Sequence, residues 1–442
     1  MSFPPTGIKC SSETAIFRNA VNEKDEGYCL PSGVASEPSS PIKDTLKNKS
    51  NMTSFHGRGV INCTRIEGGR SCTSQRYLAR HMELVKDVFP QKCYEESSLY
   101  LGHLVSRKGK VRMQGSEFPL KTLREHNIKI YCGQGNNSGA LGGGKFGTVI
   151  PFKLHGISSG SVSFVFKTEN KTDSETFISL FNNPPENLKQ LYPLKGGFLQ
   201  APLRAKLAFD LAKLLKLSGR LPCMGIGLNN HQEYGTLMVE VKGVSADRHL
   251  RNLQGQGHLG EKFDIEKASL KTLLIQGVID TSVYSEIILL NFLWGRHDRA
   301  KLPNVMVVPL EANIRKVDIK LIDMDLCFPT GNDSLNSLYC ECHIYRDWVE
   351  DLMVKAVSGS DSSPEWSSGE GLSLPLETTT AAAKKQEEAR DRFFKLLKNF
   401  SEKIGALIGE SEQQAFIKRA KIIQELMTPM PTSVVDPAIH SQ

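Results

Sequence analysis

Three runs of sequence decide the reading. They are Asn291-Phe292-Leu293-Trp294-Gly295-Arg296-His297-Asp298-Arg299, then Asn304-Val305-Met306-Val307, then Lys320-Leu321-Ile322-Asp323-Met324-Asp325-Leu326-Cys327-Phe328-Pro329. An apolar, helix-like run ends in a loop with an aspartate. An asparagine then opens a short strand, and a second apolar strand ends in another aspartate. Phosphoryl transfer needs an aspartate beside the attacking hydroxyl, and an Asn and an Asp to hold the magnesium ions that bridge the phosphates. Either acid alone would be an ordinary surface loop or strand-end residue. Their order, Asp298, Asn304, Asp323, carries the reading.

Upstream, apolar residues from Leu270 to Leu293 recur at helical spacing and predict one long helix over residues 268–294. Leu203, Leu207, Leu211, Leu214 and Leu215 predict a helix over residues 202–217, with Ser218-Gly219 as its stop. Residues 235–241 read as a strand. Further upstream stands Gly142-Gly143-Gly144-Lys145-Phe146-Gly147-Thr148-Val149. Glycines let backbone N–H groups approach phosphates without a Cβ in the way. A P-loop fits poorly, because Phe146 stands where a Ser or Thr would reach Mg²⁺. After the glycines, residues 148–154 read as a strand, 155–161 as a turn and 162–168 as the return strand. Lys167 lies in that return strand, flanked by Phe164-Val165-Phe166. A lysine among apolar strand neighbours calls for an anionic partner. A glycine-rich turn, a strand, a hairpin and a strand lysine form the layout with which kinases cover and pair ATP phosphates.

At this point the chain resembles the HipA-type and type II phosphatidylinositol 4-kinase-like branch of the protein-kinase-like superfamily. The residues that carry the likeness are Leu321-Ile322-Asp323 with Phe328-Pro329, Leu207-Ala208-Phe209 followed by Leu221-Pro222, and the strand Gly235-Thr236-Leu237-Met238-Val239-Glu240. The resemblance implies an α+β, bilobal protein-kinase-like fold, with an antiparallel-sheet N-lobe and a helical C-lobe. It implies ATP and Mg²⁺ as cofactors, Lys167 as the phosphate-binding lysine and Asp298 as the catalytic-loop aspartate. Asn304 and Asp323 would be metal ligands. Gly142, Gly144, Lys145, Gly147 and Val149 would form the phosphate cover, and Glu240 with Val241 the adenine hinge. Three departures stand out. Pro303 precedes Asn304 and the interval from Asp298 is one residue longer than in protein kinases. Met324-Asp325 replaces Phe-Gly. The helix position that usually supplies a lysine-pairing Glu is Ala205, leaving Glu175, Glu186 or Asp210 as substitutes.

The rest of the chain frames this core. Its 442 residues carry a net charge of +7, a mild excess that suits a nucleotide or an acidic membrane face and does not imply nucleic-acid binding. No apolar run is long enough to span a bilayer, and the N-terminus lacks the pattern of a cleavable signal. Ten scattered cysteines fit reduced thiols in a cytoplasm. Residues 1–55, rich in Ser, Pro, Asn and Lys, are expected to be a disordered tail resembling the leaders of proteins injected into host cells. Residues 56–97 read as an extension with a helix over 75–88, 98–243 as the N-lobe and 244–356 as the C-lobe. Residues 357–380 read as a flexible spacer and 381–428 as a C-terminal helical hairpin, a candidate surface for a protein partner. The functional expectation is a kinase that phosphorylates Ser or Thr of a protein. Its alternatives are a phosphoinositide kinase acting on an inositol phospholipid, or a catalytically weak kinase-fold binding module, with secretion as a bacterial effector a further possibility.

Overall fold

The computed structural model describes residues 83–90, 104–106, 108–135, 140–144, 147–155, 162–181, 184, 186–260, 263–295, 302–309, 317–331, 336–358 and 376–427. The tail expected over residues 1–55 lies outside them, as does the first half of the helix expected over 75–88, of which residues 83–88 are helical.

Strand formation begins with a hairpin, β1 (Lys110–Met113) and β2 (Ser116–Pro119), followed by the short helix α1 (Leu120–Glu125). The main sheet contains β3 (Ile130–Gly135), β4 (Gly142–Gly144), β5 (Gly147–Leu154), β6 (Phe164–Thr168), β7 (Met224–Leu228) and β8 (Tyr234–Val239), in the order β3-β7-β8-β6-β5-β4. An additional β3–β5 pairing, Gly133 opposite Leu154, joins the two ends, so five strands form a closed ring and β4 continues along the edge of β5. The expectation of a purely antiparallel sheet needs one correction: β3 and β7 run parallel, with Ile130 opposite Ile226. Closure explains why β6 is buried on both faces. Phe166 fills the interior, stacked on Phe152 at 4.8 Å, while Lys167 points to the other face. Gly235 makes room for it, since a Cβ there would lie 2.5 Å from the Phe166 ring.

Between β6 and the next long helix lie two short helices, α2 (Ser174–Ser179) and α3 (Leu188–Leu191). Helix α4 (Ala201–Leu214) then packs on β7 and β8. After β8 the chain crosses to a small antiparallel sheet of β9 (Val244–Ser245), β10 (Val305–Pro309) and β11 (Val317–Leu321). Helices α5 (Ala246–Gly255), α6 (Leu270–Ile275) and α7 (Thr281–Trp294) lie between β9 and β10.

The single helix expected over 268–294 is thus two. Gly277 adopts a left-handed φ of 66° after α6, and the Asp280 carboxylate accepts the Val283 N–H at 2.8 Å to start α7. From Tyr284 onward α7 is buried all round, as its largely apolar sequence requires, with Ser285, Glu286 and Asn291 the buried polar residues among it. The chain ends in α8 (Asn336–Ile344), α9 (Arg346–Val357), α10 (Leu376–Leu407) and α11 (Glu410–Met427). α10 begins inside the stretch expected to be spacer. α10 and α11 pack on each other, α10 also on α9 and α4, and α11 on α7.

Candidate active site

Lys167 and the second aspartate, 156 residues apart in sequence, meet. The Lys167 ammonium donates to Asp323 at 2.5 Å and forms a second ion pair with Asp325 at 2.6 Å. Lys167 is buried (6% exposed) and so is Asp325 (3%), whereas the Asp323 side chain is 30% exposed. Burial alone would depress the ammonium's pKa. The charges of Asp325 and Asp323, with their hydrogen bonds, outweigh it and hold the group above its ordinary value. Both acids lie in the turn that follows β11, and the left-handed backbone at Asp323 breaks the extended chain between Leu321 and Asp325. Asp323 itself, two residues after β11, has a left-handed φ of 63°, a conformation Asp tolerates better than most residues.

Asn304 is brought to the same end of the small sheet. It immediately precedes β10, and its carbonyl accepts the Ile322 N–H at 2.9 Å, beside Asp323. An Asn and an Asp are the kind of oxygen donors that Mg²⁺ takes, one or two from the protein with phosphate oxygens and water completing its shell. Among the described residues no group of three or more His, Cys, Asp or Glu could make a closed protein cage for a metal. Asp298 and Lys145 lie outside the described residues. α7 ends at Trp294, with Gly295 at φ 64° as its C-cap.

The glycine-rich run forms a hairpin rather than a free loop. Gly142 pairs with Val149 and Gly144 with Gly147, while Val149 stands opposite Lys167 on β6. Gly147 has a packing demand of its own: a Cβ there would fall 1.6 Å from the Thr168 carbonyl oxygen. At the expected hinge, the Glu240 N–H donates to the Ser163 carbonyl at 2.9 Å, and Val241 is half-buried just before the chain enters β9.

None of the substitutes for the missing helix glutamate meets Lys167. Glu175 and Glu186 are exposed, and Asp210 pairs with Lys206 at 2.6 Å and with Lys403. Ala205 is fully buried. The lysine's second acid is Asp325, which sequence reasoning passed over although it stands inside the deciding stretch. Glu169 was also missed. Its carboxylate accepts the backbone N–H groups of Leu199, Gln200 (3.0 Å) and Ala201 (2.9 Å), so the residue just past the strand that carries Lys167 caps α4. Burial, and after it the Asp325 charge, push the Glu169 carboxyl up to about 7 against the pull of those three donors.

Beyond Asp325 the chain stays buried through Phe328. Arg204 of α4, itself 1% exposed, donates to the Cys327 carbonyl at 2.8 Å and the Phe328 carbonyl at 2.5 Å. The Tyr192 hydroxyl donates to the Leu326 carbonyl at 2.9 Å. A surface groove of about 650 Å³ is lined by Thr330, Gly331 and the first turns of α11, and contains none of these residues.

No family model matches the chain, and no curated protein sequence matches it. Among solved structures it is similar to the crystal structure of a Helicobacter pylori proinflammatory kinase, CtkA. The identity is 10% and the TM-score 0.34, over 68% of this chain and 97% of that one. Among the described residues no helix is long and apolar enough to cross a membrane.

Proposed function

We propose that the chain is an ATP-dependent kinase that transfers the γ-phosphate to a hydroxyl acceptor, in the first place Ser or Thr of a protein. The observation that carries the reading is the Lys167–Asp323–Asp325 cluster, with Asn304 beside it. A buried ammonium next to a partly exposed aspartate, with Asn304 joined by its carbonyl to the neighbouring Ile322, would supply a phosphate partner and metal ligands side by side. In this reading residues 98–243 form one lobe and 244–356 the other, with Glu240 and Val241 between them, as in the HipA-type and type II phosphatidylinositol 4-kinase-like branch.

Asn304 and Asp323 would hold Mg²⁺, which when bound neutralises charge on the phosphates. Lys167 stabilises the charge that develops on the phosphate oxygens in the transition state. Asp298 orients the acceptor hydroxyl and accepts its proton as the oxygen–phosphorus bond forms and ADP leaves. Asp325 replaces the helix glutamate in fixing Lys167, so Ala205 is no obstacle to activity. The free cysteines Cys132, Cys223, Cys327, Cys340 and Cys342 suit a reducing cytoplasm, including that of a host cell.

The test incubates the purified chain with γ-labelled ATP, Mg²⁺ and candidate acceptors, protein and inositol phospholipid, beside Lys167→Ala and Asp298→Ala. Label transferred by the wild type and lost in both variants is the expected result. Equal labelling of all three samples rejects the assignment of roles.

A further inference from the structure

The C-terminal helices touch the site at three positions on one face of α11. Glu412 accepts from the Arg204 guanidinium at 3.0 Å, with both side chains no more than 3% exposed. Phe416 packs edge-on against Phe328 at 5.9 Å, and Phe400 of α10 completes that aromatic cluster. Arg419, fully buried, donates to the Leu293 carbonyl at 3.0 Å and the Gly331 carbonyl at 3.3 Å. Its guanidinium lies 2.7 Å from where a Cβ on Gly295, the C-cap of α7, would stand. Spacings of four and three residues place these side chains one above another on a helix. From α10, Lys403 reaches Asp210 on α4.

Arg204 is the centre of this arrangement. Its Nη1 donates to the carbonyls of Cys327 and Phe328, two and three residues after Asp325, its Nη2 to Glu412, and its Nε to the Leu199 carbonyl at 2.9 Å. A planar guanidinium can fix the direction of a chain in this way, and a lysine ammonium cannot span the same acceptors. Buried as it is, the guanidinium requires an anion, and Glu412 supplies it.

We infer that Arg204, held by Glu412, is a positioning residue for the loop that carries Asp323 and Asp325. α11 is then a working part of the site rather than an appended docking element. The inference rests on the kinase reading above. Partners that orient metal ligands from behind typically matter by about 10–100-fold in metal affinity.

The test titrates Mg²⁺ at fixed concentration of a fluorescent ATP analogue, with full-length wild type, Arg204→Lys, Glu412→Gln and, as a control on the exposed face of α11, Glu425→Gln. The Mg²⁺ concentration for half-maximal binding should rise about tenfold or more in the first two variants and stay unchanged in the third. Nucleotide binding without Mg²⁺ should move much less, a split that general loosening of the fold does not produce. Hydrogen exchange on the wild type tests the same point without substitution. Mg²⁺ with nucleotide should slow exchange in residues 324–331 and in residues 410–419 together. Unchanged Mg²⁺ dependence in the folded variants, or protection confined to residues 324–331, overturns the inference alone. A wild type that binds no nucleotide overturns the kinase reading with it.

Discussion

Replacing Asp325 by Asn should cost stability, and replacing Asp323 should cost function. The contrast follows from exposure. Lys167 and Asp325 are 6% and 3% exposed, so their 2.6 Å ion pair is shielded from water on both sides. Removing one partner of such a pair costs about 3–5 kcal/mol, because the remaining charge is left in a medium that solvates it poorly. Asn keeps the shape of Asp, so no cavity forms. Asp323 stays beside the ammonium and offsets part of the loss, which places Asp325→Asn at the lower end, about 3 kcal/mol. At about 2–4 °C per kcal/mol for a domain of this size, the melting temperature should fall by about 6–12 °C. Asp323, at 30% exposure, is partly solvated, and its Asn variant should lose about 1 kcal/mol or less while losing Mg²⁺-dependent nucleotide binding. Thermal melts at neutral pH without nucleotide compare the two directly. If Asp325→Asn melted within about 2 °C of wild type, or Asp323→Asn melted lower than Asp325→Asn, the lysine would not be held chiefly by Asp325.

Other substitutions probe the frame around this cluster. Gly147→Ala puts a methyl 1.6 Å from the Thr168 carbonyl oxygen and must part β5 from β6, at about 3 kcal/mol; Gly219→Ala, with nothing within 4 Å, should be close to neutral in the same urea titration. Phe416→Ala removes the ring between Phe328 and Phe400 and should cost about 3–5 kcal/mol by denaturant midpoint; a loss below about 1 kcal/mol would mean that α11 is not seated there. Glu169 has a folded-state pKa of about 7 against an ordinary 4.5, so between those values the folded chain holds a proton that the unfolded chain has released. Its contribution to stability therefore falls as pH rises through that window. Glu169→Gln removes the slope, and the wild-type advantage over the variant should shrink from about pH 5 to about pH 7; a constant difference contradicts the assignment.

The strands and helices that place the site were legible because their apolar period is local. Phe164 and Phe166 alternate with Val165 and Lys167, and the leucines of α4 repeat at helical spacing. The break between α6 and α7 was legible in principle, as Gly277 and the cap at Asp280 were both in the sequence, but the apolar run continued across them. The parallel β3–β7 pair and the closing β3–β5 contact left no local sign, since long-range pairing depends on which edges meet. Asp325 could have been found as a second acid inside the deciding stretch, but the left-handed turn at Asp323 that brings it to Lys167 had no local sign. Arg204 and Glu412, 208 residues apart, carried no such clue. A charged residue on the apolar side of each helix was the one hint that they were paired and buried.

The source of the lysine's counter-charge bears on how such a site could be controlled. Where a helix glutamate holds the lysine, moving the helix breaks the pair, and helix position becomes a switch. Here both acids that hold Lys167, including the proposed metal ligand Asp323, follow β11, and α4 contributes only Ala205 at the corresponding place. α4 is instead fixed three ways: by Glu169 at its N-terminus, by Lys403 at Asp210, and by Glu412 through Arg204. Two of those three anchors come from the C-terminal helices. A change that loosened α10 and α11 would therefore act on the Cys327 and Phe328 carbonyls first and reach Lys167 only through Asp325; with the metal held as proposed, metal dependence should change before the lysine's pairing does.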